Sequence, residues 1–198
     1  MGNGVSLGCN GASDGCGGSG GPVEGSAQAS SDASGPVEAS GMNPTMNPAT
    51  PIRVLILCTG NSARSQMAEG WLRADGGPAF LVASAGTHPT QLRAEAVQVM
   101  SEVGIDIAGQ RSKSLDVYRD VPWDWVITVC DHAAESCPVF AGSARRLHWS
   151  FADPAGVPGD EAQRLRAFRT VRDQVRRQLA GFIARQAEAV VKAAPNPS

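Results

Sequence analysis

Apolar runs and amphipathic stretches follow one another along the chain and predict strands and helices in turn. Residues 52–57 form a nearly continuous apolar run, typical of a strand buried on both faces of a parallel sheet. Further strands are predicted at 80–83, 125–129 and 145–149. Two helices between strands are predicted from apolar residues at helical spacing: Met67, Trp71 and Leu72, then Leu92, Ala96, Val99, Met100 and Val103. This alternation predicts an α/β fold, a doubly wound four-stranded parallel sheet flanked by helices.

The last predicted element is a long amphipathic helix. Asp160 is a candidate N-cap, and Gln163 three residues later completes the pattern of a capping box. One face is apolar and comprises Leu165, Phe168, Val171, Val175, Leu179 and Phe182. The arginines lie mostly on the other faces, and their mixture with Asp173 and Glu188 predicts a solvated surface rather than a site for an anionic partner.

The first fifty residues differ from the rest of the chain in composition. They are rich in Gly, Ser, Ala and Pro and contain no Lys, Arg or aromatic residue. Such a segment cannot bury enough apolar surface to offset the entropy of ordering its backbone. We therefore predict a disordered extension over residues 1–50 and one domain over residues 51–194, with Cys9 and Cys16 as incidental thiols of the extension.

Charge and hydropathy exclude several classes of function. The formal net charge is −2 at pH 7, and no basic cluster indicates nucleic-acid binding. No segment approaches the ~20 apolar residues that a transmembrane helix needs. The N-terminus also lacks the basic start and apolar centre of a secretory signal. We expect a monomeric cytoplasmic protein that binds neither nucleic acid nor membranes.

Three residues with chemically active side chains lie at the ends of predicted strands. Cys58 ends the first strand, Cys130 ends the third, and Asp153 lies just past the fourth. The carboxyl ends of parallel strands meet at one edge of the sheet, and ligands bind there in folds of this class. We therefore expect all three residues at the same edge.

The segment after the first strand has the features of an oxyanion-binding loop. It reads Cys58-Thr59-Gly60-Asn61-Ser62-Ala63-Arg64-Ser65, a C-x5-R-S motif. A loop that closes onto a helix start directs backbone N–H groups and the positive helix end at an anion. Gly60 permits a turn that a side chain would obstruct, and the planar Arg64 guanidinium matches two oxygens of a tetrahedral oxyanion. We expect Cys58 to be a thiolate at neutral pH that accepts a hydrogen bond from Ser65.

This loop resembles the signature of the low-molecular-weight protein tyrosine phosphatase superfamily, and more narrowly that of its thioredoxin-coupled arsenate reductases. The likeness covers residues 52–190 and is carried by residues 58–70, 84–89, 129–131, 137–138 and 148–156. The resemblance implies a four-stranded parallel sheet flanked by helices, which agrees with the pattern of strands and helices above.

The resemblance implies an enzyme that reduces arsenate to arsenite in arsenic detoxification. Cys58 is then the nucleophile, and the substrate is bound by the residues of the loop: Thr59, Gly60, Asn61, Ser62, Ala63 and Arg64. Asp153, followed by Pro154, matches the general acid of the family. Without the loop motif, Asp153 would be interpreted as an ordinary turn residue before proline.

Cys130 and Cys137 distinguish a reductase from a phosphatase. A phosphatase needs only water after the first step, whereas a reductase must supply two electrons through further thiols. The resemblance implies that Cys130 attacks the Cys58 adduct and releases arsenite. Cys137 then takes over the disulfide and presents it to thioredoxin. Thioredoxin is therefore the expected partner and source of reducing equivalents, and no bound cofactor is expected.

Three alternatives remain open. In a tyrosine phosphatase, the extra cysteines would protect Cys58 from overoxidation. The small Ala155 and Gly156, where phosphatases of this fold carry aromatic residues, favour a compact inorganic substrate instead. The second alternative is a non-catalytic oxyanion-binding or redox-sensing module. The third, zinc held by the extra cysteines and His132, is disfavoured by the spacing and the missing fourth ligand, so no metal site is expected.

One residue departs from the pattern of the family. Some of its arsenate reductases hold a potassium ion with residues that match Asn61, Glu69 and Ser84 and with an Asp after the second helix. The corresponding residue here is Lys113. An ammonium group cannot bind potassium but supplies the same positive charge, so we predict an activity that is insensitive to potassium.

Overall fold

The structure is a computed structural model that describes residues 50–135, 140 and 144–193. Residues 1–49 of the predicted extension lie outside the described residues. Cys137, which carries the last thiol step of the predicted relay, lies outside them as well. The extension and the role of Cys137 therefore stay predictions.

Four parallel strands form one sheet. They are β1 (Ile52–Cys58), β2 (Phe80–Gly86), β3 (Trp125–Thr128) and β4 (Arg145–His148). Their order across the sheet is β2-β1-β3-β4, so the first strand is central. The register pairs Cys58 with Gly86 and Thr128 with His148, which brings the carboxyl ends of all four strands to one edge. The predicted four-stranded parallel α/β fold is confirmed.

The helices are α1 (Arg64–Gly76), α2 (Ala94–Ser101), α3 (Asp131–Glu135) and α4 (Glu161–Ala193). Short 3-10 turns cover Gly77–Ala79, Leu115–Tyr118 and Pro154–Gly156. Helix α2 begins later than its apolar pattern predicts, because Arg93 is still extended, with φ −76° and ψ 131°. Helix α3 and the 3-10 turns are too short for a hydrophobic period to reveal them. Among the described residues, no helix has the length and apolarity to cross a membrane.

The core lies on both faces of the sheet. Val54 and Ile56 of β1 pack on one face against the apolar sides of α1, α2 and α4. Leu55 and Leu57 pack on the opposite face, in a cluster with Leu115, Trp123, Val126 and Phe140. This two-sided burial explains the continuous apolar run of β1. Because β1 lies between β2 and β3, Cys58 is flanked by neighbouring strands at the edge where the carboxyl ends meet.

Helix α4 closes one face of the sheet, and its N-terminus has the predicted capping box. The Gln163 N–H donates to Asp160 Oδ1 at 2.7 Å, and the Asp160 N–H donates to Gln163 Oε1 at 2.8 Å. The six predicted apolar positions are all buried. On the arginine face that was predicted to be solvated, Arg176 and Arg177 are exposed, whereas Arg172 is buried. Several of these arginines also pair with acidic residues in or next to α1 and α2: Arg164 with Glu95, Arg169 and Arg172 with Glu102, and Arg176 with Asp75.

Candidate active site

The residues predicted to share one edge of the sheet are brought together there. Cys58 ends β1, and the next residue, Thr59, has its Oγ1 3.4 Å from Cys130 Sγ. Cys130 lies two residues past the end of β3, not at its end, and directly precedes α3. Asp153 lies past β4 with Oδ1 3.5 Å from the Arg64 guanidinium. Two buried thiols and a carboxylate–guanidinium pair therefore flank the same loop.

The oxyanion loop closes directly onto α1. Asn61, Ala63 and Ser65 are buried, whereas Thr59, Gly60, Ser62 and Arg64 are partly buried. Cys58 is only 3% exposed, and its sulfur accepts a hydrogen bond from the Asn61 N–H at 3.0 Å. The Ser65 hydroxyl lies 2.9 Å from the same sulfur, as expected from the motif. Because α1 begins at Arg64, its first N–H groups have no partner within the helix, and that of Ser65 is directed at the Cys58 sulfur.

Burial raises the pKa of the Cys58 thiol above its ordinary value, which corrects the expectation of a thiolate at neutral pH. Loss of water around the charged sulfur is the largest cause, and hydrogen bonds from Ser65 and Asn61 lower the pKa by less. The neighbouring Cys130 raises it further. Arg64 does not compensate, because its guanidinium donates to the Phe151 carbonyl at 3.0 Å and faces Asp153.

Asn61, not Gly60, supplies the unusual backbone conformation of the loop. Its φ is +47°, in the left-handed region that Asn tolerates better than most residues. Gly60 is needed for space instead, since a Cβ there would lie 3.1 Å from both Ser62 Oγ and Thr90 Oγ1. The left-handed turn directs the Asn61 N–H at the sulfur of Cys58.

The side chain and carbonyl of Asn61 are held by residues from three parts of the chain. The partners of its polar atoms are Ser65 Oγ, Ser84 Oγ, Gln66 Nε2, Ser112 Oγ and the Lys113 N–H. Asn61 is fully buried, so each of these bonds replaces one to water. The bonds from Gln66 and Ser112 are not predicted from the sequence: Gln66 follows the loop directly in the chain, whereas only the fold brings Ser112 to it.

The segment after β2 runs along the outside of the loop. Four of its N–H groups donate to loop carbonyls: Thr87 to Cys58, His88 to Thr59, Thr90 to Gly60 and Arg93 to Ser62, at 2.8–3.2 Å. The approach is close, because a Cβ on Gly86 would lie 2.5 Å from the Thr59 oxygen. These are backbone bonds, so no side-chain pattern in the sequence signals them.

Arg64 and Asp153 form the mouth of the site. The Arg64 side chain is 13% exposed and that of Asp153 is 54% exposed. Asp153 Oδ1 also accepts from the Ala155 N–H at 3.2 Å, which caps the 3-10 turn that begins at Pro154. A carboxyl group is thus fixed next to the guanidinium that would hold an oxyanion. From that position it is suited to exchange a proton with an oxygen of a bound anion.

A buried carboxylate lies behind the loop and is compensated by protein cations. Glu69 is 1% exposed and accepts a hydrogen bond from Ser84 Oγ. The Arg73 guanidinium lies 2.6 Å and the Lys113 ammonium 3.7 Å from its oxygens. The ammonium therefore faces Glu69 as predicted, although Asn61 receives the backbone N–H of Lys113 rather than the ammonium. In the described part of the chain, no group of three or more His, Cys, Asp or Glu residues is arranged to hold a metal.

Comparisons with known proteins agree with this geometry. The sequence model of the family Low molecular weight phosphotyrosine protein phosphatase matches residues 53–193. The arsenate reductase of Halalkalibacterium halodurans is 41% identical over 129 residues, which cover 65% of this chain and 93% of that protein.

Two solved structures share the fold over most of the described domain. An arsenate reductase in the phosphate-binding state has a TM-score of 0.56 and 34% identity, and the match covers 68% of this chain and 98% of the other. A thioredoxin-dependent arsenate reductase from Corynebacterium glutamicum has a TM-score of 0.52 and 28% identity, over 70% of this chain and 65% of the other.

Proposed function

Because the chain belongs to the low molecular weight phosphotyrosine protein phosphatase family, we propose that it uses the oxyanion loop of that family to reduce arsenate to arsenite, with electrons from thioredoxin. The second buried thiol carries this proposal. Cys130 is 5% exposed and lies against the first residue of the loop that follows Cys58. Ester hydrolysis needs no second thiol, whereas reduction needs one. The arsenate reductases among the relatives support the same assignment.

In the first step, Cys58 Sγ forms a bond to the arsenic of a bound arsenate and one As–O bond breaks. The departing oxygen takes a proton from Asp153 and leaves as water. The Cys58 thiol gives up one proton in the same step, so the number of protons on the two residues and the substrate balances. Burial raises the pKa of Cys58, so loss of its proton is assigned to this step. Arg64 turns from Phe151 and Asp153 to two arsenate oxygens.

In the second step, the Cys130 thiolate attacks Cys58 Sγ. The electron pair of the S–As bond stays on arsenic, which leaves as arsenite, and a Cys58–Cys130 disulfide remains. The Cys137 thiolate then attacks Cys130 Sγ and frees Cys58. The dithiol of thioredoxin reduces the resulting Cys130–Cys137 disulfide and supplies the two electrons. The biological role that follows is arsenic detoxification.

Two assays on three proteins test the proposal. Thioredoxin-coupled arsenate turnover and hydrolysis of a phosphate ester are measured for wild type, Cys130→Ser and Cys137→Ser. Arsenate turnover should disappear in both variants, while slow ester hydrolysis, which needs only Cys58, Arg64 and Asp153, should survive. The matched control is Cys16→Ser, a change at a thiol predicted to be incidental, which should keep both activities.

Other outcomes favour the alternatives. Ester hydrolysis without any arsenate turnover in the wild type would support a phosphatase. Anion binding without either turnover would support a sensing module. Full arsenate turnover in Cys130→Ser would remove the basis of the relay.

A further inference from the structure

One histidine ties together the elements on either side of the second thiol. His148 is the last residue of β4. Its Nδ1 lies 2.8 Å from the Oγ1 of Thr128, the last residue of β3, and its Nε2 lies 3.0 Å from the Oδ1 of Asp131, the first residue of α3. Both ring nitrogens are therefore engaged, each with a different element.

Cys130 lies between the two residues that His148 holds. Thr128 precedes it by two positions and Asp131 follows it directly. Helix α3 spans only five residues, and its one buried residue is Ala133. Such a short helix has little packing of its own, so its start depends on the bonds that Asp131 makes with His148 and Ser150. Displacement of that start would move Cys130 away from Thr59, which its sulfur now contacts at 3.4 Å.

Groups around the ring support the bond between His148 and Asp131. Hydrogen bonds from Ser150 and His148 lower the pKa of Asp131, so its carboxylate stays charged, and Arg64 adds a weaker attraction. The Thr128 hydroxyl is able to donate either to Nδ1 or to the Leu147 carbonyl at 3.4 Å. With Nε2–H donating to Asp131, Nδ1 accepts from the Thr128 hydroxyl.

We propose that His148 is a positioning residue for Cys130, holding Thr128 and Asp131 so that the second thiol faces the Cys58 adduct. The inference rests on the proposed relay, and it concerns the second step alone. The first step, which needs Cys58, Arg64 and Asp153, should not depend on it.

The test compares His148→Ala and His148→Gln with wild type. His148→Ala should slow single-turnover release of arsenite by about three- to tenfold, because it removes the bond to Thr128 and the solvent-exposed bond to Asp131. Ester hydrolysis should stay within about twofold of wild type. His148→Gln should recover most of the rate, because its amide is able to donate to Asp131 and accept from Thr128. The matched control is His132→Ala, a change at an exposed histidine of the same helix, which should behave as wild type.

A second measurement does not depend on arsenate. Alkylation of Cys130 at fixed pH, followed by peptide mass spectrometry, should be faster in His148→Ala than in His132→Ala, because a thiol that is 5% exposed becomes more accessible. If His148→Ala does not fold, Asp131→Ala removes the same bond from the other side. It also removes the bond from Ser150, so its loss should be at least as large, and the two changes should be less than additive because they share one bond.

Three results would overturn the inference. The first is arsenite release in His148→Ala at the wild-type rate. The second is an equal loss of ester hydrolysis, which would mean that His148 acts on the Arg64 clamp through the charge of Asp131. The third is unchanged alkylation of Cys130. Absence of arsenite release in the wild type would refute the proposed function instead, and the alkylation comparison would then decide the role of His148 by itself.

Discussion

Removal of the Ser65 hydroxyl should make Cys58 a poorer nucleophile at neutral pH. The hydroxyl lies 2.9 Å from Cys58 Sγ, and it accepts a hydrogen bond from Asn61 Nδ2 at 3.0 Å, so its own proton is directed at the sulfur. Both residues are buried, and water is not expected to replace the lost bond in Ser65→Ala. Among the causes that lower the pKa of Cys58, this bond is the largest.

The magnitude follows from the strength of a hydrogen bond to a charged group. Such a bond stabilises the thiolate by about 1.5–3 kcal/mol. The neutral thiol forms only weak hydrogen bonds, so removal of the Ser65 hydroxyl destabilises mainly the thiolate. The thiolate fraction at fixed pH should fall roughly 10- to 100-fold. A more basic thiolate is intrinsically more reactive, with a Brønsted coefficient of about 0.4–0.5. The observed rate of alkylation should therefore fall by only about 4- to 12-fold.

The assay is the rate of iodoacetamide modification of Cys58 as a function of pH, followed on the peptide that contains it. Ser65→Ala should be slower than wild type at pH 7.5 and should approach or exceed it at high pH, where both thiols are ionised. Ser114→Ala is the matched control, because Ser114 caps a 3-10 turn and has no bond to Cys58 among those found. An unchanged or faster rate at pH 7.5 in Ser65→Ala would refute the reasoning.

Two further predictions concern charged groups away from the sulfur. Arsenate turnover should be equal in KCl and NaCl at constant ionic strength, because the Lys113 ammonium 3.7 Å from Glu69 already supplies a positive charge; marked acceleration by potassium would contradict this. Glu102→Gln should lower the free energy of unfolding at pH 7, with a difference from wild type that shrinks as the pH falls. Arg169 lowers the pKa of Glu102, so this stabilisation is present above the ordinary pKa and is lost as the pH falls through the folded-state value. Denaturant titrations at several pH values measure this difference in the free energy of unfolding, with a change at the exposed Glu188, Glu188→Gln, as the control.

The sequence by itself determined the features that depend on neighbours in the chain. The continuous apolar run of β1 predicted a central parallel strand, and the Asp160–Gln163 pair predicted the start of α4, because both signals are local. The loop motif identified Cys58, Arg64 and Ser65 in the same way. Their spacing is set by one turn between a strand and a helix.

Only the tertiary structure decided how these groups are held and charged. The left-handed Asn61 is secured by Ser84 and Ser112, and Arg64 meets Asp153 across 89 positions of the chain. Burial raises the pKa of Cys58 against the local effect of the helix start, because loss of water depends on everything that packs around the sulfur. Contacts between distant residues and the exclusion of solvent arise only when the chain is folded. The sequence placed Cys58, Cys130 and Asp153 at one edge of the sheet, but no periodicity or motif gives the individual bonds or the burial.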